Sequence, residues 1–208
     1  MNFLRLITLA TLSFSALVEA ASGSYCNLPP YPTMGGVTRA LELATQKNCE
    51  AITPADLLKI TELDIKDNVR PGNLKGLSNL KVLRISSYAD KTYGFWDGSF
   101  EGAENLESLE FSSGNTARFS INDDSFKNLT KLKQIKVYIG TGFSGDGFGW
   151  VTRNAFAGAF AIQSIDFETY CGEPNDSFNY TWYVHPGAFN GIDSKKIHIN
   201  SACVRPTN

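Results

Sequence analysis

Residues 99–111 read SFEGAENLESLEF, residues 125–137 read SFKNLTKLKQIKV and residues 155–167 read AFAGAFAIQSIDF. In each stretch a Phe is followed two residues later by Gly or Asn, and an apolar pair arrives nine and eleven residues after the Phe. Leu74 leads in the same way to Leu83 and Ile85. Phe189 leads, one residue short, to Ile197 and Ile199. A fixed internal distance that recurs along a chain decides the architecture before propensity does. One unit of this size cannot bury its apolar face alone, whereas stacked units share a continuous core.

Two apolar residues around one polar residue predict a short strand with a single buried face. The segments are Leu63–Ile65, Leu83–Ile85, Leu109–Phe111, Ile135–Val137, Ile165–Phe167 and Ile197–Ile199, and their starts lie 20, 26, 26, 30 and 32 residues apart. Ile60, Leu63, Ile65 and Asn68 fit the phrase L-x-x-L-x-L-x-x-N, and its first half recurs from Leu80, Leu106, Leu132 and Ile162. With the returning segments Ser99–Gly102, Ser125–Asn128, Ala155–Gly158 and Ala188–Gly191, the chain resembles leucine-rich repeats of the secreted extracellular or BspA-like type. The resemblance implies an α/β repeat solenoid. A short parallel β-sheet would line the concave face, an irregular or short helical stretch the convex side, and a bacterial-style helical cap the N-terminal end. It also implies a non-catalytic module that binds other proteins. The sequence departs from the family in three respects: the last two spacings, 30 and 32 residues, exceed the usual range, the coils are few, and the strand-ending Asn occurs only as Asn68, with Tyr88, Gly114, Gly140, Tyr170 and Ala202 at its other positions. The loop backbone must therefore find its hydrogen bonds elsewhere.

The repeats occupy residues 60–203, followed by a short tail at 204–208. Residues 21–59 are expected to form the cap, with a helix over Thr38–Ala44 and a second helix starting at Thr53 (N-cap) and Pro54 (first helical position). Residues 1–20 read as a secretory signal peptide: one positive charge, an apolar run from Leu6 to Val18, and Val18-Glu19-Ala20, which resembles a small-residue cleavage site. The run is too short to span a bilayer comfortably. The mature chain is thus expected outside the cell or in the periplasm, or on the cell surface by association, free of the membrane. A net charge of −2 without a Lys/Arg cluster argues against nucleic acid and anionic membranes as partners.

An even number of cysteines in an exported chain predicts disulfides. Cys171 and Cys203 each lie six residues past the start of a strand, in consecutive coils. Adjacent parallel strands about 4.8 Å apart suit a disulfide's Cα separation, so the register predicts Cys171–Cys203, leaving Cys26–Cys49 to pin the cap.

Alternation along each strand places Asp64, Arg84, Glu110, Lys136, Asp166 and His198 in one outward column of alternating sign, flanked by Glu168 and Tyr138. This column is either a recognition strip or a ladder that neutralises itself, each exposed pair contributing only about 0–1 kcal/mol. Extra residues gather at Tyr88–Gly98, Gly140–Arg153 and Cys171–Tyr183, and all three tryptophans fall there. Read as loops leaving one edge, they offer Trp96, Trp150, Trp182 and Tyr183, together with Tyr138 just before the second stretch, as an aromatic binding site for a protein or a glycan. Counting back five residues from each Phe gives Phe95, Ile121, Val151 and Val184, a column expected to be buried. Sequons stand at Asn128, Asn175 and Asn179, relevant only in a host that glycosylates them. His185 and His198 have no metal-ligand partner at a useful spacing, and no nucleophile elbow, phosphate loop or zinc motif occurs. No cofactor and no catalysis are expected.

Overall fold

Each apolar pair of the repeat forms a strand whose alternate side chains point inward, and the strands stack in register. The computed structural model describes residues 35–87, 92–114, 118–140, 145–169 and 178–207, without the side chains of 145, 146, 178 and 179. The expected signal peptide, Cys26, Cys171 and Asn175 lie outside them.

Eleven strands follow in chain order: β1 (Glu62–Ile65), β2 (Val82–Ser87), β3 (Thr92–Phe95), β4 (Ser108–Ser113), β5 (Arg118–Ile121), β6 (Gln134–Ile139), β7 (Gly145–Val151), β8 (Ser164–Thr169), β9 (Phe178–Val184), β10 (Ile197–Ile199) and β11 (Val204–Pro206). They make two sheets, β1-β2-β4-β6-β8-β10 and β11-β9-β7-β5-β3, with every pairing parallel. The chain is a parallel β-solenoid. β2–β3, β4–β5, β6–β7 and β8–β9 are its complete turns, with β1 before them and the short β10–β11 pair after.

The first sheet is the one the repeat phrase predicts. Leu63, Leu83, Leu109, Ile135, Ile165 and Ile197 share one register row, and Ile65, Ile85, Phe111, Val137, Phe167 and Ile199 the next inward row. The second sheet corrects the expectation of an irregular or helical return. The stretches read as insertions supply β3, β7 and β9, and their inward residues alternate with outward ones. Phe95, Ile121 and Val151 are buried as expected and Val184 is partly buried; Tyr93, Phe119 and Trp182 form a second inward column beside them.

The second sheet also accounts for the uneven spacing of the repeats. From Phe95, Ile121, Val151 and Val184 to Phe100, Phe126, Phe156 and Phe189 the distance is always five residues. From the apolar pair of the first sheet to that of the second it is ten residues in the first two turns (Ile85 to Phe95, Phe111 to Ile121). It then grows to fourteen and seventeen (Val137 to Val151, Phe167 to Val184). Almost all variation therefore sits at one corner of the coil, where the chain crosses from the first sheet to the second.

The opposite corner is the conserved phrase of the repeat. Phe100, Phe126, Phe156 and Phe189 stack at centroid distances of 5.5, 4.9 and 5.1 Å, with ring planes 15°, 20° and 26° apart. Two residues after each corner side chain the backbone turns left-handed, with φ of 90° at Gly76, 93° at Gly102, 72° at Asn128, 88° at Gly158 and 85° at Gly191. Only Gly, and less often Asn, adopts this conformation cheaply. At Gly102 space matters as well, because a Cβ would stand 2.6 Å from the Leu74 carbonyl oxygen.

At the positions of the missing asparagine ladder the backbone bonds directly from coil to coil, the Gly114 N–H donating to the Ser87 carbonyl at 3.3 Å and the Gly140 N–H to the Ser113 carbonyl at 2.6 Å; side chains bridge the coils ahead of the first-sheet strands. Asn79 Nδ2 donates to the Leu58 carbonyl at 2.7 Å and Asn105 Nδ2 to the Ser78 carbonyl at 2.6 Å, each reaching the preceding coil. Lys196 Nζ donates to the Ile162 carbonyl at 2.7 Å.

Before β1 lie helices α1 (Gly35–Thr45) and α2 (Pro54–Leu57). Val37, Ala40, Leu41 and Leu57 join the core from them, and α1 packs against β1. Thr53 and Asp56 form a capping box at the start of α2: Thr53 Oγ1 accepts from the Asp56 N–H at 3.3 Å, and Asp56 Oδ2 accepts from the Thr53 N–H at 3.0 Å. At the far end Val184, Phe189, Ile192, Ile197 and Ile199 are only partly buried, since among the described residues no strand pairs with the outer edges of β10 and β11. Among the described residues no helix is long and apolar enough to cross a membrane.

Candidate functional site

A closed two-sheet coil has two outer faces, and they differ in chemistry. On the first sheet Asp64, Arg84, Glu110, Lys136, Asp166 and His198 lie side by side in one register row. The ends of this row are internally paired. Arg84 Nη1 donates to Asp64 Oδ1 at 3.3 Å and to Glu62 Oε2 at 3.2 Å, and His198 Nδ1 lies 2.6 Å from Asp166 Oδ1. The middle is not paired: among the described residues neither Glu110 nor Lys136 makes an ion pair, although they are register neighbours. The expected self-neutralising ladder thus holds only at its two ends.

Two residues further along the strands, the next outward row runs Ser86, Ser112, Tyr138 and Glu168. Tyr138 is 50 % exposed. Glu168, beside it, forms no ion pair among the described residues. The centre of the face therefore presents an exposed aromatic ring among three uncommitted charges.

Near the start of the same strands a groove of about 460 Å³ is lined by Lys81, Glu107, Lys133 and Gln163. Its charges satisfy each other, with Glu107 held 2.6 Å from Lys133 and 3.6 Å from Lys81. The Lys133 ammonium above all holds the Glu107 carboxyl below the usual carboxylate range. Asp123 is lowered chiefly by the Thr152 hydroxyl and Asp56 chiefly by Lys47. Each of these shifts has a local structural cause, and the three carboxylates stand at separate places in the fold. His185 is occupied locally, its Nδ1 accepting from the Gly187 N–H at 3.0 Å, while its Nε2 lies 3.4 Å from Arg153 Nε.

The strands of the second sheet carry more aromatic residues than those of the first. Its outward rows are Gly94, Ser120, Trp150, Tyr183 and Arg205, and beside it Thr92, Arg118, Phe148 and Thr181. Trp150 and Tyr183 are 37 % and 36 % exposed, stacked at 6.1 Å with planes 24° apart. Phe148 meets Trp150 edge-on at 4.6 Å, and the Arg118 guanidinium sits 5.1 Å from the Phe148 centroid. Trp96 is half-buried, with its ring edge over Gly94.

Two aromatic assignments are corrected. Trp182 is fully buried: its parity with Val184 turns it inward, where it packs on Phe167, Phe119 and Tyr180, and its Nε1 donates to Thr169 Oγ1 at 3.1 Å. Gly149 leaves room for it, since a Cβ there would stand 2.3 Å from the indole. Tyr138 lies on the first sheet, so the five aromatic residues do not share an edge. The sequence reading did not single out Arg118 or Phe148 as a pair; their odd spacing, one and three residues from the buried Phe119 and Ile121 and three from Val151, is the signal that would have placed them outward.

Cys49 and Cys203 are buried and neither is a free thiol. Thr169 Oγ1 lies 3.7 Å from Cys203 Sγ. Asn128 is exposed in its left-handed turn, while the side chain of Asn179, in β9, falls outside the described residues. No family model matches this sequence, and no curated protein does.

Proposed function

We propose that this chain is a secreted, non-catalytic binding module that engages an extracellular or cell-surface protein through the outer face of its first sheet. The observation that carries the reading is the centre of that face. Tyr138 stands exposed beside Glu110, Lys136 and Glu168, none of which has an ionic partner among the described residues, while the flanking Arg84, Asp166 and His198 are paired. Protein interfaces concentrate their energy in a central aromatic residue surrounded by polar groups, and rigid strands hold such a group without an ordering cost. Unpaired charges add selectivity, since a partner must present the complementary pattern. The local structural causes of the Asp56, Glu107 and Asp123 shifts support a non-catalytic role.

Export is supported by the apolar segment at 1–20 and the even cysteine count. Within this reading Cys171 pairs with Cys203 and Cys26 with Cys49. The kinship with leucine-rich repeats rests on the repeat phrase; the second parallel sheet is a departure from the form that phrase implies.

The test is affinity capture with the mature chain, identification of the retained protein, and titration of that protein in purified form. Tyr138→Ala and Lys136→Glu should each weaken its binding about tenfold or more, and Phe160→Ala on another surface should not. Equal binding by all variants would place the interface elsewhere and remove the basis of the assignment.

A further inference from the structure

The outer face of the second sheet has a charge and shape of its own, independent of the first-sheet reading. Its described outward side chains include two arginines, Arg118 and Arg205, and no carboxylate; neither arginine has an ionic partner among the described residues. Asp146 stands near the start of β7, four residues before Trp150.

Tyr183 covers one face of Trp150. On the other side, the same register row holds only Ser120 and Gly94. Two strand steps separate Trp150 from Gly94, about 9.6 Å, and a ring in van der Waals contact with Trp150 needs about 4 Å of that. The gap is closed at Gly94 by the edge of Trp96, 3.4 Å from where a Cβ would be, and floored by Ser120, whose hydroxyl accepts from Asn122 Nδ2 at 3.0 Å. Arg118 lies beside this opening, against Phe148, which in turn touches Trp150.

We propose that this opening binds an acidic polysaccharide. One sugar ring lies against the free face of Trp150 over Ser120, and its carboxylate or sulfate group meets Arg118. The electron-rich face of an indole attracts the polarised C–H groups of a sugar ring, and a guanidinium without a carboxylate partner offers paired donors to two oxygens of a carboxylate or a sulfate. Single-stranded nucleic acid also combines stacking with cations, but it requires a continuous basic track for its phosphates. Here the outward positions between Arg118 and Arg205 carry Phe148, Trp150, Thr181 and Tyr183.

The experiment titrates the full mature chain with polygalacturonate, dextran sulfate, neutral dextran and oligo-dT, following tryptophan fluorescence and calorimetry at two salt concentrations. The expected result is binding to an anionic polysaccharide at least tenfold tighter than to dextran. Trp150→Ala should lose about tenfold or more, Trp150→Phe should retain most of the affinity, and Arg118→Ala should lose both affinity and salt dependence. Polygalacturonate alone would assign the anion as a carboxylate, dextran sulfate alone as a sulfate. Tyr138→Ala, on the opposite sheet, should bind like the parent, so failure here leaves the protein-binding proposal standing and the reverse holds too. Circular dichroism and melting confirm that each variant is folded. Equal binding of dextran, tighter binding of oligo-dT, indifference to Trp150→Ala, or no binding of either anionic polymer each overturns the proposal.

Discussion

Replacing Phe126 by Ala should cost this protein about 4 kcal/mol, whereas the same replacement at Phe160 should cost almost nothing. Phe126 is fully buried at the corner, between Phe100 at 5.5 Å and Phe156 at 4.9 Å, with Phe95 edge-on at 5.9 Å. A buried Phe removes about 150–200 Å² of apolar surface from water, which at about 25 cal/mol/Å² corresponds to roughly 4–5 kcal/mol. Measured Phe→Ala losses in well-packed cores run at about 3–5 kcal/mol, consistent with that figure. Phe160 lies four residues later in the equivalent of the next corner phrase, but is 78 % exposed and contributes little that its removal could cost. The assay is urea unfolding followed by far-ultraviolet circular dichroism and by tryptophan fluorescence. In a solenoid each coil is stabilised by its neighbours, so loss at a central corner should lower the midpoint for both probes together. Phe126→Leu, which keeps most of the volume, should recover more than half of the loss. A cost below about 1 kcal/mol for Phe126→Ala, or equal costs at Phe126 and Phe160, would refute the view that the stacked corner is a main source of stability.

The left-handed turns give a paired prediction. Gly102→Ala should destabilise by more than about 1 kcal/mol because both its φ and its contact with Leu74 oppose a Cβ, whereas Asn128→Gly should stay within about 0.5 kcal/mol; thermal melts decide. Lys47 and Thr53 hold Asp56 below the usual carboxylate range, so its stabilising effect is present above the unfolded value near 4 and is lost as pH falls. The difference in melting temperature between the parent and Asp56→Asn should therefore be largest near neutral pH and shrink from about pH 4 downward; a difference that grows in acid would contradict the assignment. Cys171→Ala should lower stability by roughly 2–5 kcal/mol. Peptide mapping without reduction should recover Cys171 joined to Cys203, and a peptide joining Cys26 to Cys171 would refute both pairings.

What was legible in the sequence was whatever depends on regular distances. The nine-residue step from Phe126 to Ile135 located the first sheet, and the five-residue step back to Ile121 located a buried column. The charge column was legible because register follows from parity. Whether Lys136 actually reaches Glu110 was not, since that depends on side-chain rotamers and on how twist spreads neighbouring side chains. The second sheet escaped because Gly145-Asp-Gly-Phe-Gly-Trp-Val151 has the composition of a loop; glycine is depleted in strands, and only the neighbouring β5 and β9 hold it extended. The same glycines make room for large partners: Gly149 stands opposite Trp182, so one of the tryptophans offered as a binding residue is a core residue.

Confining the variation in length to a single corner has a consequence for how such a chain can change. Inserted residues between β6 and β7, or between β8 and β9, shift no pairing in either sheet, because the five- and nine-residue spacings that set both registers lie on the other side of the coil. The fold therefore separates a ruler from a ledge. One corner measures every turn, and the other can accept foreign segments at anchor points about 4.8 Å apart, which makes it the natural place to graft a peptide for display without disturbing either face.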